Sequence, residues 1–193
     1  MDNVLQNKDS DFIQEEIKKT IKILQKGGII LYPTDTIWGI GCDARNKNAV
    51  SKIFNIKRRE EKKSLISLVC NKNMIDRFTD SKQLKISNPK KPTTIIYQNV
   101  SGLAKNLIAN DNTAGFRITN DKFCNLLISL FGSPIVSTSA NISGSNSPNQ
   151  FSEISEEIKN NVDYIVNLRK KEIMKNPSDI LFINPNGSIK KLR

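Results

Sequence analysis

The 193-residue chain contains no histidine. That excludes Ser-His-Asp and Cys-His nucleophile chemistry, histidine proton shuttling and the usual zinc enzymes together. Its three cysteines, Cys42, Cys70 and Cys124, are far apart and form no C-x-x-C pair. They support neither a disulfide framework nor a metal knuckle, and read as reduced, buried thiols. Aromatic residues make up 6% of the chain. No apolar run approaches the roughly 20 residues of a membrane helix. The first residues, Met1 to Asn7, lack the basic start and apolar stretch of a signal peptide, so the expected location is the cytoplasm. Neither G-x-x-x-x-G-K-[ST] nor G-x-G-x-x-G occurs, so any nucleotide is held by something other than a Walker or Rossmann loop.

What remains is a kit of Lys, Arg, Asp, hydroxyl and amide groups. It suits phosphate chemistry, where positioning and charge neutralisation do most of the work. Thirty Lys and Arg stand against nineteen Asp and Glu, a net charge of +11, with a pI near 9.6. Such a field attracts nucleic acid or a nucleoside triphosphate. Hydrophobic content of 37% and this length suit one soluble domain with its own core.

Hydrophobic spacing predicts a helix from Phe12 to Gln25, with Phe12, Ile13, Ile17, Ile21 and Leu24 inward. Asp11 and Gln14 suit a capping box, and Gly27-Gly28 a stop. A second helix is expected over Asn48 to Lys57, and a third over Lys122 to Leu130 with Phe123, Leu126, Leu127 and Leu130 on one side. A fourth falls near Ser152 to Asn160. Strands are expected at 29–32, 65–69, 93–97, 115–118, 135–138 and 164–167. Ile180–Ile183 and Ile189–Leu192 read as a hairpin around Asn184-Pro185-Asn186-Gly187. Helices and strands alternate without repeat, so the class is α/β or α+β, one domain over 1–193.

Three segments concentrate polar chemistry. Tyr32-Pro33-Thr34-Asp35-Thr36-Ile37-Trp38-Gly39-Ile40-Gly41-Cys42-Asp43 ends a strand in hydroxyls and a carboxylate, then offers glycines for close backbone approach. Taken alone it equally fits a strand-turn-strand whose Thr and Asp satisfy local backbone groups. Lys57-Arg58-Arg59-Glu60-Glu61-Lys62-Lys63-Ser64 closes a helix, where cations complement the dipole. It reads either as a solvated face or as a flexible cationic clamp for a triphosphate. Ser137-Thr138-Ser139-Ala140-Asn141-Ile142-Ser143-Gly144 is a strand tip rich in small hydroxyls, either a capped turn or a nest for an oxyanion.

In this order and spacing, Y-P-T-D-T-x-W-G-x-G-C-D, K-x-R-x-x-x-K, F-R-I and S-T-S-A-N-I-S-G resemble the YrdC-like threonylcarbamoyl-AMP synthases. The resemblance runs from about Phe12 to the C-terminus, and points to the short, single-domain type. It implies a twisted, open mixed sheet with flanking helices and a large, positively charged cavity. It also implies a nucleotidyltransferase joining L-threonine, bicarbonate and ATP into threonylcarbamoyl-AMP and pyrophosphate, normally with Mg²⁺. The product serves threonylcarbamoyladenosine formation in tRNA, through proteins of the transfer machinery.

By motif position, the resemblance places Thr36, Arg117, Ser139 and Ser178 against threonine. Arg59, Lys63, Thr113, Asn141, Asn149 and Arg193 fall against ATP. Lys57 and Arg59 are the expected catalytic cations, Arg117 a fork for the threonine carboxylate, and Asp35 a thin candidate for placing a metal. Glu60 stands where many members have proline. Leu68 replaces a histidine found in some, and Asn88 to Pro92 keeps only part of an aromatic-Pro-Gly-Pro segment. Two other readings use the same features. One is a non-catalytic module for double-stranded RNA or ribosome maturation; the other is the carbamoyl-transfer domain of hydrogenase maturation factors.

Overall fold

The computed structural model describes residues 2–60, 65–80, 91–183 and 188–192. Helix α1, Asp2–Gln25, buries Ile17 and Leu24, with Ile13 and Ile21 packed beside them. It begins ten residues before the expected start, so Asp11 lies inside the helix rather than at its cap. Phe12 is 42% exposed, off the buried stripe. The helix stops at Gly27, whose φ of +72° lets the Gly28 N–H reach back to the Ile23 carbonyl.

Strand β1, Ile30–Tyr32, turns at Pro33 and returns antiparallel as β2, Gly39–Gly41. Helix α2, Lys47–Ile56, is capped by the Asn46 side chain and buries Ala49, Val50, Ile53 and Phe54. Strand β3, Ile66–Val69, and a single helical turn, α3, Lys72–Ile75, precede β4, Thr93–Tyr97, and β5, Ala114–Ile118. Helix α4, Lys122–Phe131, is capped by Asp121 and closed by Gly132 at φ +76°. Its buried side carries Phe123, Cys124, Leu127 and Ile128. Leu126 and Leu130 face out, Leu130 at 62% exposure, so the apolar stripe is rotated from the one expected.

Strand β6, Ile135–Ser139, follows, and the expected helix at 152–160 divides. A 3₁₀ turn, Phe151–Glu153, precedes α5, Glu156–Asn160, because Ser155 caps the latter from its own position. Strands β7, Tyr164–Ile165, β8, Asp179–Ile183, and β9, Ile189–Lys191, complete the sheet. β8 and β9 pair antiparallel as the hairpin pattern requires; residues 184–187 between them lie outside the described set.

The sheet runs β7-β1-β2-β6-β3-β5-β4-β8-β9. The β7–β1, β3–β5 and β4–β8 pairs are parallel and the rest antiparallel. Register decides where the chemistry gathers. Gly39 of β2 lies opposite Ser139 of β6, Ile66 of β3 opposite Ser137, and Leu68 opposite Arg117 of β5. The hydroxyl-rich end of β6 therefore emerges between the turn after β1 and the strand bearing Arg117. Helices α1 and α4 pack together, α1 also against β1 and α4 against β3.

Candidate functional site

Pro33 ends β1, and the next three residues fold by their own hydroxyls. Thr34 Oγ1 donates to the Ile37 carbonyl at 2.7 Å and accepts from the Thr36 N–H at 3.1 Å. Its single proton is thereby committed, so the 3.0 Å contact with Thr36 Oγ1 has Thr36 as donor. The Thr36 oxygen is left with acceptor lone pairs for a ligand donor, an ammonium or a hydroxyl.

Asp35 and Arg117 form a buried ion pair at 3.1 Å, Arg117 being 3% exposed. Both Asp35 carboxylate oxygens and Arg117 Nε lack hydrogen-bond partners. Burying two charges is costly unless their remaining donors and acceptors are filled. Arg117 lines the cleft, and its unfilled edge is matched by a planar anion such as a carboxylate.

Lys57, at the C-cap of α2, is 1% exposed. Its Nζ donates to the carbonyls of Ser139 at 2.6 Å and Asn141 at 2.7 Å, while its own carbonyl accepts from the Ser143 N–H at 2.9 Å. Burial, and secondarily Arg59, push its pKa down to about 8. Neither a solvated face nor a flexible clamp describes this lysine, which grips the loop after β6. Arg58, at φ +49°, turns outward to Glu157 at 2.6 Å. Arg59 turns inward to the cleft, where burial lowers its pKa.

The cleft holds about 210 Å³ and takes Thr36, Arg59, Arg117, Ser139 and Ser178 on its walls. Five residues expected at a ligand from distant parts of the chain thus share one surface. Ser178 is set by a 3.0 Å contact with Thr94 on β4. Of the remaining expected residues, those described lie off the wall. Lys57 sits behind the loop. Thr113 donates its hydroxyl to Asp111 at 2.7 Å, and Asn149 donates from backbone and side chain to Glu153. Asn141 Nδ2 donates to the carbonyls of Ile142 and Ser145, leaving its buried Oδ1 without a partner. Lys63 and Arg193 lie outside the described residues.

Sequence reasoning missed the pairing of Asp35 with Arg117, the Ser147 hydroxyl and the apolar wall of Leu65 and Ile66. Ser137, quoted only as part of its motif, shares a face with Ser139 by strand alternation and lines the same cleft. The near oxygen of Asp35, a candidate for placing a metal by sequence, is ion-paired with Arg117. No group of three His, Cys, Asp or Glu suited to a metal occurs among the described residues.

The Sua5/YciO/YrdC family, described as Telomere recombination, matches residues 22–193. A Methanocaldococcus jannaschii protein provisionally named threonylcarbamoyl-AMP synthase is 36% identical, over 91% of this chain and 86% of its own length. The Pseudoalteromonas translucida threonylcarbamoyl-AMP synthase is 32% identical, over 79% and 86%. Among solved structures, E. coli YciO superposes with a TM-score of 0.80 at 22% identity, covering 93% of this chain and 89% of that one. P. abyssi Sua5 complexed with L-threonine gives 0.76 at 21%, covering 92% of this chain. The chain spans about half, 53%, of that Sua5's length. The match takes in the Thr34–Thr36 turn, the basic helix end and the loop after β6, the segments that build the cleft: this chain belongs to the Sua5/YciO/YrdC family.

Proposed function

We propose that this protein is a nucleotidyltransferase that makes threonylcarbamoyl-adenylate and pyrophosphate from L-threonine, bicarbonate and ATP, for threonylcarbamoyladenosine in tRNA. The observation that carries the reading is the convergence of Arg117, Thr36, Ser139 and Ser178 with Arg59 on one cleft. Its volume of about 210 Å³ lies below the roughly 300–1,000 Å³ of sites that enclose a drug-sized ligand. It suits an amino acid, with the nucleotide extending out along the basic segment.

In this reading Arg117 forks onto the threonine carboxylate and Thr36 accepts from the amine or hydroxyl. Bicarbonate takes up a proton and loses water to give carbon dioxide, which the amine captures, forming the N–C bond of a carbamate and releasing a proton. A carbamate oxygen then attacks the α-phosphorus, and the bond to pyrophosphate breaks. Arg59 and Lys63 neutralise the charge that develops on the phosphates. Lys57 acts one step back, holding the loop that carries Ser139 and Asn141. Thr113, Asn141, Asn149 and Arg193 complete the ATP side, and the unfilled Asn141 Oδ1 is ready to accept from the nucleotide. Among the described residues no acidic cluster offers a metal site, so Mg²⁺ would be held by the triphosphate oxygens. Transfer proteins and tRNA are downstream partners in the cytoplasm. No helix among the described residues is long and apolar enough to cross a membrane.

The test is product analysis with ATP, Mg²⁺ and bicarbonate, with and without threonine. Pyrophosphate should appear only with threonine and bicarbonate present. Arg59→Ala should lose about 2–4 kcal/mol of transition-state stabilisation, while Lys18→Ala, on the exposed side of α1, should change little. Pyrophosphate release indifferent to threonine would sink the reading. Double-stranded RNA binding without threonine-dependent ATP use would favour the non-catalytic module.

A further inference from the structure

Arg169, four residues past the last residue of β7, occupies the left-handed region at φ +53° although it is not glycine. An L-residue is disfavoured there and persists where its surroundings hold it. Its side chain explains the hold. Nη1 donates to the Thr34 carbonyl at 3.3 Å and to Asp121 Oδ2, while Nε donates to Glu172 Oε2 at 2.7 Å.

Each anchor belongs to a different segment around the site. The Thr34 carbonyl belongs to the peptide leading into Asp35, so its direction sets where Asp35 and Thr36 point. Asp121 uses its other oxygen to cap α4 through the Cys124 N–H at 2.8 Å. Glu172 belongs to the strap of residues 169–178, whose far end places Pro177 and Ser178 in the cleft. The base of that strap is fixed from α1: buried Glu16 accepts from the Tyr164 hydroxyl at 2.9 Å and the Asn167 N–H at 2.7 Å. One guanidinium thus joins the strap, the start of α4 and the turn after β1. Its planar fork meets three acceptors in different directions, which a lysine's point charge does less well.

We propose that Arg169 is a positioning residue for the Thr34-Asp35-Thr36 turn, acting through the Thr34 carbonyl without touching substrate. It is a determinant of how tightly the amino-acid end of the cleft is formed. Its kinetic consequence rests on the threonine-adenylating reading above, and its structural consequence does not.

The experiment is amide hydrogen exchange on the full chain, comparing wild type with Arg169→Gly and Arg169→Lys, with Tm measured for each. Glycine removes the clamp but suits the backbone, so global stability should hold, with Tm moving no more than about 4 °C. The peptide over residues 33–38 should exchange about tenfold faster in Arg169→Gly, with residues 66–69 of β3 unchanged, because local opening is decoupled from global unfolding. Arg169→Lys should fall between. In turnover, the KM for threonine should rise about tenfold with kcat within threefold. Unchanged protection over 33–38 would overturn the proposal, as would loss spread equally over β3 and α4, the mark of a general staple. If wild type turns over no threonine, the adenylation reading fails while the exchange result still decides the role of Arg169.

Discussion

Lys57 shows how little a residue's type says before its neighbours are known. In the sequence it opens a run of seven charges, and residue type alone does not separate it from Lys62 or Lys63. In the structure it is buried with two carbonyl acceptors, and burial beside Arg59 takes its pKa to about 8. On unfolding it returns to the ordinary lysine value of about 10.4. The unfolded chain therefore binds the extra proton between those values, and stability from this group rises as pH climbs through that window. Below pH 8 the desolvated ammonium carries its full cost. Chemical denaturation of wild type against Lys57→Met from pH 7 to 10.5 should show a wild-type-specific gain of up to about 3 kcal/mol, from 1.36 kcal/mol per pKa unit. A pH-independent difference between the two proteins would contradict it.

Among the elements, β2 is the one whose composition is explained by its neighbours. It is three residues long, two of them glycine, and lies between β1 and β6. A Cβ on Gly41 would stand 2.5 Å from the Val136 carbonyl oxygen and 2.7 Å from the Tyr32 ring. Tyr32 is fully buried and donates its hydroxyl to that same carbonyl at 3.1 Å, so neither neighbour has room to move. Gly41→Ala should lower unfolding free energy by about 1–3 kcal/mol through overpacking, measured by urea titration. Gly39→Ala should cost less, since its nearest contacts begin at 3.3 Å with a serine hydroxyl. Equal losses at both positions would mean that backbone entropy, not close approach, sets the preference. Periodicity located most helices and strands, but it misjudged which side of α4 is buried. Leu126 and Leu130 are as apolar as Cys124 and Ile128; only the packing of α4 on α1 and β3 chooses between the two stripes.

For the whole molecule, the consequence of buried, incompletely satisfied groups in the cleft wall and just behind it is ligand-linked stability. Arg117 Nε, the Asp35 oxygens and Asn141 Oδ1 forgo hydrogen bonds in the free protein. A ligand that supplies them binds the folded state and not the unfolded one. At threonine about 100-fold above its Kd, stabilisation should reach about 2.7 kcal/mol. For a chain of this length that corresponds to a Tm rise of roughly 5–10 °C, at about 2–4 °C per kcal/mol. Serine should raise Tm less at equal concentration if the cleft packs against the threonine methyl. Scanning calorimetry with each amino acid decides it, and a Tm unmoved by threonine would count against the amino-acid assignment of the cleft.

By itself the sequence determined the chemistry that this protein has to work with. Without histidine, and with hydroxyls, amides and cations concentrated in three segments, it pointed to phosphate chemistry. The order and spacing of those segments identified a family that the comparisons bear out. Proline, glycine and capping residues marked most element ends, because those signals act over a few neighbouring residues. Only the tertiary structure decided which polar groups meet. Asp35 finds Arg117 across 82 positions, Lys57 reaches the Ser139 carbonyl across the same separation, and Arg169 reaches Thr34 across 135. Such pairings follow from strand order and register, which bring β6 between β2 and β3. Long-range register is set by how the whole core packs, so no local pattern of residues carries it.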